Sequence, residues 1–177
     1  MATGKNMTRL RIFRRFFVVT YVALVGLGLL GVAGCRPEAS DESASATQAV
    51  VINNRAFTLE LALDEDTRRQ GLSDRAEIAE NGGMLFVFPQ ARPLQFVMRR
   101  CLTPIDIVFL GPNGRVVSTH TMAVEPYDTP EAELTRYGGR YAGQFALEFR
   151  GGTLEQLDLS PGDAVDLPLE SLKARAR

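Results

Sequence analysis

The chain has 177 residues, 45% of them hydrophobic, with 20 Lys and Arg, 21 Asp and Glu, one His and two Cys. That suffices for one domain with its own core, but not for a disulfide framework or a zinc site of the usual His and Cys spacing. Five of the basic residues and none of the acids fall in residues 1–35, so the remainder carries 15 against 21, a net charge of about −6 that excludes broad binding to a phosphate backbone.

Lys5, Arg9, Arg11, Arg14 and Arg15 precede an apolar run from Phe16 to Ala33, the layout of a secretory signal. A single spanning helix is the alternative, because the run approaches the ~20 residues that cross a bilayer. Val32-Ala33-Gly34-Cys35 resembles the lipobox of bacterial lipoproteins, in which the cysteine is acylated and becomes the new N-terminus. The resemblance implies a signal over residues 1–35, membrane attachment through lipid on Cys35, and a periplasm-facing domain. Arg36, where an aspartate would favour inner-membrane retention, favours the outer membrane. Residues 36–48 are Ser- and Ala-rich and acidic, without large apolar side chains, and read as a flexible tether.

A single domain is expected over residues 49–168. Ala49–Ile52 and Phe57–Leu63 flank Asn53-Asn54-Arg55, residue types that tolerate a tight turn, and Phe57, Leu59 and Leu61 alternate as in a half-buried strand. Asp64–Gly71 reads as a short helix, acids first, basics last, closed by glycine. Met84–Phe88 and Leu94–Met98 are strands parted by Pro89 and Pro93. Ile105–Leu110 and Arg115–Met122 form a hairpin around Gly111-Pro112-Asn113-Gly114. Thr129-Pro130-Glu131 opens a second helix that ends at Gly138-Gly139. Phe145, Leu147 and Phe149 alternate again, Thr153 caps one helical turn, and a turn at Ser160–Asp163 leads into a last strand through Leu167. Residues 169–177 are a basic tail, frayed from Leu172. About eight short strands with two or three short helices predict a mainly β (α+β) fold, a small antiparallel barrel or sandwich.

Gln70-Gly71-Leu72 with Arg75, Gly83-Met84-Leu85-Phe86-Val87-Phe88, Phe96-x-Met98-Arg99, Pro104-Ile105-Asp106-Ile107, Phe145-Ala146-Leu147-Glu148 with Gly151-Gly152, and Gly162-Asp163 occur in the order of the domain of unknown function 192 family. The chain resembles that family from about Phe57 to Leu167. The resemblance implies a mostly β fold and export, and no established activity. Where the family usually has Trp, Asn and Met, this chain has Val97, Arg100 and Ser73.

The stretch FVMRRCLTPIDIVFL, Phe96–Leu110, concentrates the chemistry. Pro104 lacks a backbone donor, so the stretch reads as two strands joined by a corner at Arg99–Thr103. Asp106 lies on a strand with apolar neighbours. A buried carboxylate there needs backbone amides or a pairing with Arg99, Arg100 or Arg75. Either Asp106 and Arg99 form a structural tie, or Arg75, Arg99, Cys101, Asp106 and Glu148 contribute to a pocket for a polar ligand. His120 faces away from Asp106 if Arg115 pairs with Leu110, and faces it if the loop spans Pro112–Gly114. An Asp–His pair is not expected, because the family pattern has no histidine there. Cys101 would need a base and a lowered pKa to act as a nucleophile, and reads instead as a small packed residue. No metal cluster and no Gly-rich phosphate loop is visible, and no cofactor is expected. Met84, Phe86, Phe88, Phe96 and Met98 read as core or pocket lining.

The leading functional expectation is a lipid-anchored envelope module that binds a small polar ligand, a glycan or a partner protein without catalysis. A hydrolase or transferase using Asp106 and Glu148, or Cys101, is the alternative. A third possibility is an assembly factor that docks through a sheet edge.

Overall fold

Hydrogen bonding along alternating apolar segments joins six strands into one sheet in the computed structural model, which describes residues 46–177. The expected signal segment, Cys35 and nearly all of the tether lie outside the described residues. Thr47–Ile52 (β1) and Arg55–Ala62 (β2) form a hairpin around Asn53 and Asn54, with φ of 45° and 65°. A two-residue turn between twisted strands needs these left-handed values, and asparagine tolerates them. β1 begins at Thr47, two residues before the expected start of the domain.

Glu65–Gln70 (α1) follows. Its N-cap Asp64 accepts through Oδ1 from the Thr67 amide at 2.9 Å, and Gly71 closes the helix at φ 53°. Residues 63–83 form a crossover long enough to bring Met84–Phe96 (β3) alongside β2 in parallel, with Glu60 opposite Met84. The other pairings, to Ile105–Leu110 (β4), Val116–Met122 (β5) and Tyr137–Arg150 (β6), are antiparallel, in the order β1-β2-β3-β6-β4-β5. β6 is thus hydrogen-bonded on both sides, while β1 and β5 are edges. The sheet is mixed and open, so the fold is mainly β as expected but not a closed barrel.

The strand count falls from eight to six for two reasons. Residues 84–96 are one long strand, bent by register shifts between Val87 and Arg92 and between Pro93 and Gln95. The prolines interrupt the ladder locally rather than ending it. Residues 163–167 make only an isolated bridge, Ala164 to Arg115. Tyr137–Arg150 is likewise a single strand, and it incorporates Gly138 and Gly139 at φ 84° and 81° instead of using them to stop a helix. The expected helix at Thr129 is a set of turns, with one Glu133 amide to Pro130 carbonyl bond of 2.8 Å. Leu134 is its one buried apolar residue, too little to offset helix nucleation.

Each face of the sheet has its own core. On one face, Phe57, Leu59, Leu85, Val108, Leu147 and Phe149 are covered by Leu154–Leu157 (α2), the segment through Leu167, and Leu169–Arg175 (α3). The expected frayed tail is therefore a helix that buries Leu172 completely. On the other face, Phe86, Phe88, Met98, Ile105, Ile107 and Phe109 pack under Leu72, Ile78 and the corner before β4.

Gly83, at φ 139°, ties β3 to β6. A Cβ there would lie 2.1 Å from the carbonyl oxygen of Glu148. Gly83→Ala is expected to lower stability by at least about 2 kcal/mol, through overpacking and a disfavoured φ, as measured by urea unfolding.

Candidate functional site

Sheet register decides which candidate residues can meet. Glu148 lies opposite Met84 and Ile107, on the face of the second core, whereas Asp106 lies opposite Phe149 and Thr121. Side chains alternate along a strand, so the two carboxyl groups point to opposite faces of the sheet. The structure does not bring Asp106 together with Arg99 or Glu148, which overturns both the Asp106–Arg99 tie and an acid–base pair of Asp106 and Glu148.

Asp106 is wholly buried, and its Oδ2 accepts from the Leu154 amide at 2.8 Å, while Oδ1 has no partner. The amide donor that the sequence requires thus comes from the start of α2, where helix N–H groups lack intrahelical acceptors, and not from the corner. Thr153 itself makes no capping bond. Asp106→Ala is expected to cost about 1–3 kcal/mol in chemical denaturation, by stranding that amide.

The β4–β5 hairpin starts in the register of the longer loop, with Leu110 opposite Val116. A bulge between Phe109 and Leu110 then shifts it by one residue, and His120 comes to lie opposite Ile107, away from Asp106. It packs between Phe109 and Tyr137 at centroid distances of 5.8 and 6.0 Å, and desolvation lowers its pKa.

The Glu148 face holds a cleft of about 540 Å³, within the range of small-molecule sites. One wall is the last turn of α1 with Gly71, Leu72 and Ser73. The other is β3, through Phe86, Phe88, Arg92, Gln95 and Phe96. The corner contributes Val97, Arg99 and Cys101, the loop before β6 contributes Glu131, and Glu148 lies at the base. Phe86 and Phe96 meet edge to face at 4.9 Å, and the guanidinium groups of Arg68 and Arg92 each sit 5.2 Å from the centre of the Phe88 ring.

Glu148 is 5% exposed, and its Oε2 is buried with no hydrogen-bond partner. Desolvation pushes its pKa up to about 8, against a smaller opposing effect of Arg75. Arg75 cannot do more because both of its terminal nitrogens are engaged by Glu60, one at 2.7 Å. Glu148 is therefore mostly protonated at neutral pH and can donate a hydrogen bond. Cys101 is buried and donates to the Arg99 carbonyl at 3.6 Å. Burial first, then Glu148, raises its pKa to about 12, the opposite of an activated thiolate.

Arg99 bonds the Arg69 carbonyl, and its own carbonyl accepts from Ser73 Oγ at 2.8 Å, which fixes the corner against α1. Arg100 adopts φ 53°, where the resemblance expects asparagine, a residue more at ease in that conformation. Its side chain meets Asp74 at 2.9 Å and the Tyr127 hydroxyl at 2.8 Å, and that hydroxyl donates to Asp74.

Of the residues singled out from sequence, Arg99, Cys101 and Glu148 line the cleft, as do Phe86, Phe88 and Phe96 of the apolar stripe, whereas Met84 and Met98 do not. Arg75 reaches Glu148 only through its charge, and Asp106 lies on the other face. Arg68, Arg69, Arg92 and Glu131 were not foreseen. The run Arg68-Arg69 read as complementing the helix dipole, and only its position beside Gly71, which turns the chain back toward β3, would have placed it at a cleft.

The DUF192 family, described as Uncharacterized ACR, matches residues 48–167. The chain belongs to this family. Two solved structures share the fold. One is from Sinorhizobium meliloti, described as a candidate transcription regulator: 30% identity, 67% of this chain, 89% of that chain, TM-score 0.57. The other, from Novosphingobium aromaticivorans, is of unknown function: 26% identity, 79% of this chain, all of that chain, TM-score 0.61. No curated protein matches. For this DUF192 member the cleft, rather than any inherited activity, is the basis for a functional reading.

The sign of the pH dependence follows from Glu148. Its pKa rises from 4.5 to about 8 on folding, so the folded chain retains a proton that the unfolded chain releases. Stability should fall as pH climbs from about 4.5 toward about 8, and then level off. The lowered pKa of His120 acts in the opposite sense near its ordinary 6.5. The difference between wild type and Glu148→Gln in thermal melts from pH 5 to 9 isolates the glutamate: the variant should gain relative stability steadily up to about pH 8.

Proposed function

We propose that this DUF192 member is a non-catalytic binding module of the cell envelope, held to a membrane through Cys35, whose cleft accepts a small polar ligand. The observation that carries this reading is Glu148, a buried carboxyl group at the base of a cleft with no partner for Oε2, whose pKa burial raises to about 8. An unsatisfied buried polar group costs free energy, and a ligand atom that accepts its proton would recover that cost. Four arginines and three phenylalanines around it supply charge and apolar area in the mixture that small-molecule sites use.

Catalysis is less well supported. Asp106 and Glu148 occupy opposite faces of the sheet, and Cys101 is a neutral thiol bonded to a carbonyl. The regulator description belongs to the S. meliloti protein, and the net charge of residues 36–177 argues against nucleic acid here. Membrane attachment rests on the pattern of residues 5–35.

The mature protein, extracted from envelopes in detergent, should retain a small molecule detectable by native mass spectrometry. Glu148→Leu should lose it while still melting cooperatively. A ligand-free wild type, or equal retention by both proteins, would defeat the reading. Cys35→Ser should move the protein from the membrane fraction to the soluble one.

A further inference from the structure

We propose that the cleft selects a small ligand bearing an oxyanion, a carboxylate or phosphate monoester on a flat apolar body, and that the anion enters between Arg69 and Arg99 by displacing Glu131. This rests on the binding reading above and names the ligand class.

The rim already holds a carboxylate in that place. Arg69, from α1, and Arg99, from the corner, each approach the same oxygen, Oε2 of Glu131, at 4.0 Å. Both distances exceed hydrogen-bonding range, and Glu131 and Arg69 are exposed, so the pairing contributes little stability. Two guanidinium groups on separate segments therefore converge on an acid that neither one binds closely. A ligand carboxylate or phosphate, free of the tether that keeps Glu131 at that distance, can close to charge-assisted contact. Arg92 adds a further cation for which no ion pair is seen among the described residues, so arginines outnumber the exposed glutamates, Glu65 and Glu131, by four to two on the lining.

The remaining surfaces set the rest of the ligand. Phe96, half-buried and backed edge to face by the buried Phe86, offers its ring to a flat apolar body. At the base, Glu148 offers one proton, which a neutral acceptor such as a carbonyl or ether oxygen would take. The acid group thus belongs at the rim and the neutral acceptor at the base. The reverse orientation would set an anion beside the buried carboxyl.

The probes are 4-acetylbenzoate, 4-acetylphenyl phosphate, the neutral methyl 4-acetylbenzoate and the cationic 4-acetylbenzylamine, titrated by calorimetry into the full-length mature protein at pH 6.5. At least one anion should bind, and the preferred one identifies the acid group. The ester and the amine should bind at least about tenfold more weakly, the equivalent of one charge-assisted hydrogen bond. Arg69→Ala should weaken the anion by a similar factor, and Glu131→Gln should tighten it severalfold without changing the ester. An ester that binds as well as the benzoate overturns the proposal, as does a Glu131→Gln variant with unchanged anion affinity. If no probe binds, native mass spectrometry of the purified protein decides. A retained molecule with a carboxyl or phosphate group supports the class. One without either overturns the class but leaves the binding reading intact, and no retained molecule removes both.

Discussion

A carboxyl group on the innermost strand, with no donor to meet it, is the constraint around which this structure is organised. β6 is hydrogen-bonded by β3 on one side and β4 on the other, so its amides and those of its neighbours are committed to the ladder. None is left to turn toward Glu148. The nearby cation, Arg75, is held by Glu60 on β2. The group keeps its proton because ionisation without a partner would cost more than protonation at neutral pH. Close contact between Gly83 and the Glu148 carbonyl keeps β3 and β6 tightly apposed at that point.

Asp106 solves the same problem by different means. It sits one strand away, on the opposite face, and is at least as deeply buried. Its surroundings include the first turn of α2, and a helix start is one of the few places where a backbone amide is free to leave the regular pattern. Asp106 therefore has one oxygen, Oδ2, met within the chain and keeps Oδ1 unpartnered, whereas Glu148 lines a cleft with Oε2 unpartnered. That contrast, more than the burial of either group, separates a structural carboxyl from a candidate binding group.

Much of the fold could be read from local signals. Asn53-Asn54, the Asp64 cap with Gly71, and the alternation of Phe57, Leu59 and Leu61 each specify a conformation over a few residues, and the structure contains them. Longer-range consequences were less legible. Pro89 and Pro93 suggested two strands because a missing donor is visible in sequence, whereas the tolerance of a bent ladder is not. The bulge between Phe109 and Leu110 depends on pairing between strands, yet it alone sets the face occupied by His120. The same holds for Asp106: its closeness to Arg99 along the stretch Phe96–Leu110, and the alternation around Glu148 on a distant strand, say nothing about which side of the sheet each occupies. Thr129-Pro130 carried a strong helix-opening signal, but the segment lacked the apolar stripe needed to hold a helix against the sheet.

The placement of Cys101 has a consequence for where such a chain could survive. Thiol–disulfide exchange proceeds through the thiolate, and here the low-dielectric surroundings oppose its formation. An oxidoreductase or a small disulfide would find almost no anionic sulfur to engage, and the packed corner would obstruct its approach. At this position the folded domain should be indifferent to redox environment, able to pass from a reducing compartment to an oxidising one without forming mixed disulfides.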